Sequence, residues 1–248
     1  MKIEYFGHSA FKIVSEEGLI MLIDPFISNN PLCSTPVETI DADVILITHG
    51  HSDHFGDALE IANNSGATII ATAEIANFVQ RQGINAIAMN IGGTVSINNL
   101  VNVTMTDARH TSSIDFTEEV EEGGSATGFV ITLESGKKIY HAGDTGLFGD
   151  MKTVIGDIYK PDIALIPIGD KYTMGIEDAA IAAKWLQSRI VIPMHYNTFP
   201  GIEQDVELFA KNVEDEIIGT MTVPLMPGED YREAVSYTHL TLPTTSVV

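Results

Sequence analysis

His49, His51, Asp53 and His54 fall within the six positions His49-Gly50-His51-Ser52-Asp53-His54. Neutral imidazoles and carboxylates are the side chains that hold a dication, and a turn just off a rigid strand can aim all of them at one point. Gly50 and Ser52 are small and turn-forming, so the backbone can coil back and present ligands on alternate sides. Three more donors stand further along: His110, Asp144 and His195. Counted out, His49, His51 and His110 give three imidazoles for one ion, and Asp53, His54 and His195 give a mixed set for a second. Asp144 is left over, and a carboxylate is the natural bridge between two cations. Imidazole and carboxylate without thiolate suit Zn²⁺, Mn²⁺ or Fe. Two dications roughly 3.5–4 Å apart turn a shared water into hydroxide near neutral pH and polarise a scissile carbonyl or phosphoryl oxygen. Asp53, His54 and Asp144 would then carry catalysis, with Asp53 orienting the hydroxide while binding metal. No protein nucleophile is required, and the chain has no G-x-S-x-G elbow.

These residues need a scaffold that brings distant strand ends together. Residues 44–47 form a continuous apolar run, the pattern of a strand buried on both faces, and lead straight into the His49 loop. A polar cluster placed directly after a buried strand is costly unless something satisfies it. Residues 2–6, 10–14 and 19–23 read as an antiparallel meander, with Gly7-His8-Ser9 interrupting the first pair. The third strand ends in Asp24-Pro25, either an acceptor supporting the ligand loop or a turn initiator. Residues 27–41 are a Pro/Asn/Thr-rich loop able to close over a site. Helices are expected at 58–64 and 74–82, around a strand at 67–71, and strands at 94–97 and 101–106. The acidic stretch 111–124 reads as a mobile loop whose glutamates face solvent. A hairpin over 126–133 and 138–141 ends in Gly143-Asp144-Thr145-Gly146. Helices at 151–159, 176–187 and 204–212 alternate with strands at 162–168, 189–194 and 220–225. Four strands thus end in candidate ligands: the His49 loop, His110, Asp144 and His195. The halves 1–105 and 106–231 read as a pseudo-repeat without sequence repetition. Together they predict a layered α/β sandwich with the site at the shared strand edge.

Other polar residues near strand ends carry weaker expectations. His8, Asp170 and Asn197 are candidates for substrate contact, as are Lys171 and Tyr172. Strand alternation points His141 away from Asp144, so it reads as a packed histidine. Tyr196 and Trp185 read as packing residues and Arg109 as a surface residue.

Composition narrows the partners. The formal net charge of −21 repels polyanions, so nucleic acid and anionic membrane surfaces are not expected, and a small molecule is the expected substrate. No apolar run is long enough to span a bilayer, and the amino-terminal stretch does not read as a signal peptide. Cys33 is the only cysteine, which fits a reducing cytoplasm. Short exposed strands allow a homo-oligomer. From Ser236 onward the sequence SYTHLTLPTTSVV has no acidic or basic residue and is rich in threonine. Residues 1–233 therefore read as one domain, and 234–248, His239 included, as an extraneous or disordered tail.

His49-x-His51-x-Asp53-His54 followed by His110, Gly143-Asp144-Thr145 and His195 resembles the metallo-β-lactamase superfamily. The segments GHSAFKI, LIDPF, DADVILITHGHSDHFGDA, YHAGDTGLFGDM, KPDIALIPIGD and PMHYNTFP resemble its branch of predicted metal-dependent hydrolases of bacteria and archaea. Ascorbate-6-phosphate lactonases and N-acyl-phosphatidylethanolamine phospholipase D are the relatives with assigned activities nearest to this pattern. The resemblance covers essentially residues 1–231. It implies a four-layer αββα sandwich of two mixed sheets flanked by helices, a site between the sheets, and Asp144 bridging two divalent ions. The expected activity is hydrolysis of a small ester, lactone, amide or phosphodiester by a metal-bound hydroxide. The alternatives are an iron-dependent oxidoreductase on the same scaffold and a non-catalytic metal-binding protein. His51 stands where diiron reductase relatives carry an acidic residue, and a complete ligand set speaks against a vestigial site.

Overall fold

Three stretches of continuous aliphatic sequence become central strands. Val44–Leu46, Ile163–Pro167 and Ile190–Met194 are buried along their whole length, as strands covered on both faces must be. In the computed structural model, which describes residues 1–233, they lie within two seven-stranded sheets. The expected tail lies outside the described residues.

The first sheet runs in the order Asp230–Arg232, Lys2–Gly7, Ala10–Val14, Ile20–Ile23, Val44–Leu46, Thr68–Thr72, Ala86–Met89. Its first three pairings are antiparallel and its last three parallel. The second runs Thr94–Ile97, Val101–Asp107, Thr127–Thr132, Lys138–His141, Ile163–Pro167, Ile190–Met194, Met221–Thr222. Its pairings follow the same succession, antiparallel three times and then parallel three times. A repeated ladder plan is therefore present, but its boundary is not at 105: Thr94–Ile97 and Val101–Asp107 already belong to the second sheet, and Asp230–Arg232 returns to the first.

Alternation decides which side chains meet. Tyr5, Phe11, Ile13, Met21, Ile23, Val44 and Leu46 share a core with Val103, Met105, Phe129 and Ile131 of the second sheet. Leu22, Ile45, Ile47 and Ile69 point the other way, into a core with Phe55, Ile61, Ile75 and Val79. A one-residue slip in any of these strands would exchange the two sets, so the register is strongly specified. On the outer face of the second sheet, the helix Ile176–Leu186 buries Ile176, Ala179, Ala182, Ala183 and Leu186, one helical stripe. The helix Val206–Glu216 starts where the Asp205 carboxylate accepts the Leu208 N–H at 3.0 Å. The result is the αββα sandwich: two mixed sheets face to face, helices outside. Among the described residues no helix is long and apolar enough to cross a membrane.

Three local expectations change. The stretch 111–124 is a folded flap in which Ser113–Ile114 pairs antiparallel with Glu121–Glu122. It is tied down by Ser112 Oγ donating to the Gly123 carbonyl at 3.0 Å and by an ion pair between Glu121 and Arg81. The edge strands Ala86–Met89 and Asp230–Arg232 have no counterpart in the sequence periodicity, because they are short and only partly buried. The strand expected at 220–225 shortens to Met221–Thr222.

Candidate metal centre

Past Leu46 the chain leaves the sheet and winds into the short helix Ser52–Phe55, with the His51 carbonyl accepting the His54 and Phe55 N–H groups at 3.0 and 2.8 Å. This single turn separates His49 and His51 from Asp53 and His54. Gly50 is required because a Cβ there would stand 2.7 Å from the Ser113 carbonyl oxygen of the flap. Gly143 turns the chain after Lys138–His141 with φ +62°, and a Cβ there would meet the Thr127 carbonyl oxygen at 2.3 Å. His195 follows the strand Ile190–Met194, and its N–H donates at 2.6 Å to the His8 carbonyl of the opposite sheet.

Two groups of donors result. His49, His51 and His110 each bring one ring nitrogen within 4.8 Å of the others, with His49 Nε2 and His51 Nδ1 3.0 Å apart. Asp53, His54 and His195 form the second group, and His8 joins them. Between the groups stands Asp144, whose Oδ2 lies 2.9 Å from His195 Nε2, 3.3 Å from His54 Nε2 and 3.8 Å from His110 Nε2. His54 Nε2, Asp144 Oδ1 and His195 Nδ1 are buried without a hydrogen-bond partner. Buried polar atoms left unpaired cost about 1–3 kcal/mol each, so a concentration of them marks a place where a ligand belongs.

Partners behind the donors aim them. The buried Asp24 carboxylate accepts from Thr48 N–H at 2.8 Å and from Thr48 Oγ at 2.6 Å, and faces His54 Nδ1 at 2.8 Å. That directs the His54 Nδ1 proton at Asp24 and turns Nε2 toward Asp144. The Thr48 hydroxyl in turn lies 3.0 Å from His49 Nδ1, leaving His49 Nε2 for the centre. Asp24 thus supports the ligand loop. His8, Asp24 and His195 hold φ of +58°, +46° and +55°, conformations that cost on the order of 1 kcal/mol or more and cluster at functional sites.

The protonation pattern suits a dication. Burial pushes the Asp144 carboxyl up, but the imidazoles of His195 and His54 outweigh it and hold the group well below the usual carboxylate range. Burial pushes Asp53 up as well, and the His8 hydrogen bond and the nearby His54 reverse it. Burial keeps His49 and His110 below the usual imidazole range, and it takes His8 down to about 4 with help from His195. Burial also acts against charge on His54, yet Asp144 and Asp24 lift it well above the ordinary value. The donor set, imidazoles and carboxylates with no thiolate, fits divalent metal.

An open cavity of about 760 Å³ leads to the centre, lined in part by His51, Asp53, His110, Asp144 and His195. Phe26, Asn29, Asp115, Tyr172 and Phe199 complete much of its wall. All seven expected ligands are thus brought together. His8 lies behind Asp53, fully buried, with Nε2 3.2 Å from Asp53 Oδ2 and Nδ1 3.0 Å from Thr198 Oγ1. Asp170 and Asn197 stay outside the lining. The Asp170 backbone closes a turn with Thr173 and Met174, and Asn197 Oδ1 accepts the Gln204 N–H at 2.8 Å. His141 is a packed histidine: Nε2 donates to the Ser9 carbonyl at 3.0 Å and Nδ1 accepts the Gly143 N–H at 3.1 Å. The aromatic wall of Phe26 and Phe199 carried no signal in the sequence, since an isolated phenylalanine in a loop is indistinguishable from a core residue.

A family model described as the beta-lactamase superfamily domain matches residues 20–196. A UPF0173 metal-dependent hydrolase of Methanobrevibacter smithii is 56% identical over 229 residues, covering 92% of this chain and 95% of that one. The solved structure of Igni18, a metallo hydrolase from the archaeon Ignicoccus hospitalis, superposes with a TM-score of 0.84 at 40% identity, covering 94% of this chain and 99% of that chain. A Zn(2+)-bound PqqB from Methylobacterium extorquens shares the fold at a TM-score of 0.64 and 15% identity, over 94% of this chain and 100% of that chain.

Proposed function

The chain belongs to the beta-lactamase superfamily and is a metal-dependent hydrolase; from that premise we propose that it works at a pair of divalent ions on a small ester, lactone, amide or phosphodiester. The observation that carries the pair is Asp144, a buried carboxylate facing three imidazoles from three segments and keeping one oxygen without a partner. One ion would be held by His49, His51 and His110, the other by Asp53, His54 and His195, with Asp144 shared. Zn²⁺ or Mn²⁺ suits these donors, and zinc is present in the PqqB neighbour.

When bound, such ions supply Lewis acidity to the scissile carbonyl or phosphoryl oxygen and acidify the attacking water. Asp53 lines the cavity, is held ionised by His8 and His54, and would orient the attacking water while helping to hold the metal. His8 holds Asp53 from behind, and Asp24 keeps His54 turned toward Asp144. Nothing in this scheme needs a nucleic acid, a membrane or a partner chain.

The test is metal identity and number per chain in protein purified without a chelating tag, followed by turnover with and without metal. About two Zn or Mn ions with metal-dependent hydrolysis supports the reading. A single iron, or no metal after reconstitution, overturns the dinuclear site.

A further inference from the structure

The cavity wall carries information about the substrate that the metal ligands do not. Of the residues lining it, none is lysine or arginine. The one charged side chain there outside the expected ligand set is Asp115, whose Oδ1 accepts the Ser52 N–H at 2.8 Å. The nearby cations are committed elsewhere: Arg109 pairs with Asp107 at 3.1 Å, and the Lys171 ammonium stands over the Tyr172 ring at 4.9 Å from its centre. Three aromatic side chains from three separate loops face the same space. Phe26 follows the Asp24 turn, Tyr172 follows Ile163–Pro167, and Phe199 follows His195, with the Phe26 and Phe199 ring centres 6.1 Å apart. Tyr172 and Phe199 are 56% and 37% exposed, leaving apolar ring surface open to the cavity.

We propose, building on the hydrolase reading above, that the substrate is a carboxylic ester or lactone bearing a flat apolar group and no anionic group apart from the reacting bond. The aromatic walls bury the apolar group, and offset or edge contacts between rings add to the area term. A remote phosphate or carboxylate would meet Asp115 and no lysine or arginine of the lining, inside a chain of net charge −21. At this centre the non-bridging oxygens of a phosphoryl group would rest on the metal ions alone, because the wall offers no lysine or arginine. Hydrolysis adds water across the acyl C–O bond: a hydroxyl joins the carbonyl carbon and the proton leaves with the alcohol.

The experiment compares phenyl butanoate with monophenyl succinate on the metal-loaded full chain, with bis(p-nitrophenyl) phosphate as a third substrate. The first two share reacting bond and leaving group and differ by one remote carboxylate. The expected result is a kcat/KM at least about tenfold higher for phenyl butanoate, a factor equivalent to about 1.4 kcal/mol. Phe199→Ala should lower kcat/KM for phenyl butanoate by a larger factor than for methyl butanoate, and Asn29→Lys should shrink the gap between the paired esters. Equal or better turnover of monophenyl succinate overturns the inference and spares the hydrolase reading. So does metal-dependent turnover of the phosphodiester with none of either ester. Absence of metal-dependent turnover on every member overturns both.

Discussion

The two sheets repeat one ladder plan and arm it differently. Counting from the antiparallel edge, the second strands of both sheets, Lys2–Gly7 and Val101–Asp107, lead to histidines, His8 and His110. The fourth strands, Ile20–Ile23 and Lys138–His141, lead to aspartates, Asp24 and Asp144. In the first sheet these residues stand behind the centre, Asp24 against His54 and His8 against Asp53. In the second they stand in it, with Asp144 Oδ2 facing three imidazoles. The fifth strands differ outright: Val44–Leu46 delivers four donors in six residues, whereas Ile163–Pro167 leads to Gly169-Asp170-Lys171-Tyr172, of which Tyr172 supplies cavity wall. Topology thus decides which strand ends converge. The residue at each end decides whether that end joins the donor cluster, aims a neighbour, or lines the cavity.

The Asp24 and Asp144 pair separates support from contact most sharply. Asp144→Ala should remove at least one ion and lower turnover by more than the roughly 100-fold upper range for an outer partner. Elemental analysis beside kcat checks this, and full occupancy in the variant would remove Asp144 from the bridging place. Asp24→Asn keeps an acceptor for Thr48 but loses the charge facing His54. It should weaken metal affinity about 10–100-fold with both sites still able to fill at excess metal, as a metal titration would show. If the Asp24→Asn variant instead loses an ion outright, the division between the two aspartates is wrong.

Most of this division was not legible along the chain. The His49 loop is a local cluster, and His110, Asp144 and His195 each follow an apolar strand, so the ligands stand out in order. The fold was legible because Val44–Leu46, Ile163–Pro167 and Ile190–Met194 are unbroken aliphatic runs that only a doubly covered strand explains. His8 was opaque: its partners Asp53 and Thr198 lie 45 and 190 residues away, and nothing beside it in sequence indicates either. Asp170 and Asn197 follow strands as His195 does and share its left-handed φ, +65° and +58° beside +55°, yet they serve turns. A polar residue after a strand has these two uses, and only its tertiary partners tell them apart. The flap at 111–124 was read from its charge, while its order comes from Ser113–Ile114 packing against Gly50.

The His8 and His110 pair should show a smaller contrast. His110→Ala removes a donor from the three-imidazole group and should lower occupancy there. His8→Gln, which keeps a hydrogen-bonding side chain, should retain both ions and leave KM nearly unchanged while kcat falls about tenfold, the low end for an outer partner. His8→Ala should fall further, because nothing then spans Asp53 and Thr198. Loss of an ion in His8→Gln would move His8 into the ligand set, where its place beside His54 and His195 would allow it.

The smallest effect on the centre, and a sizeable one on the fold, belongs to His141. It precedes Asp144 by three residues and is fully buried, so a reading by proximity would make it a ligand. Both ring nitrogens are already engaged, one with the Ser9 carbonyl of the first sheet and one with the Gly143 N–H of its own turn. That arrangement requires the neutral ring protonated on Nε2, and burial, which holds His141 below the usual imidazole range, favours the same state. His141→Ala strips both partners and the edge contact with Phe11, whose ring centre lies 5.7 Å away. Two buried backbone groups left unpaired cost about 3 kcal/mol together. In a chain of this size that is a fall in Tm of about 6–12 °C. Metal content at saturating metal should be unchanged, since no ring nitrogen of His141 faces the centre. Differential scanning calorimetry and elemental analysis on one preparation separate the two readouts. An ion lost with Tm intact would make the fourth strand of the second sheet a donor at two points, and the contrast with Ile20–Ile23 would need redrawing.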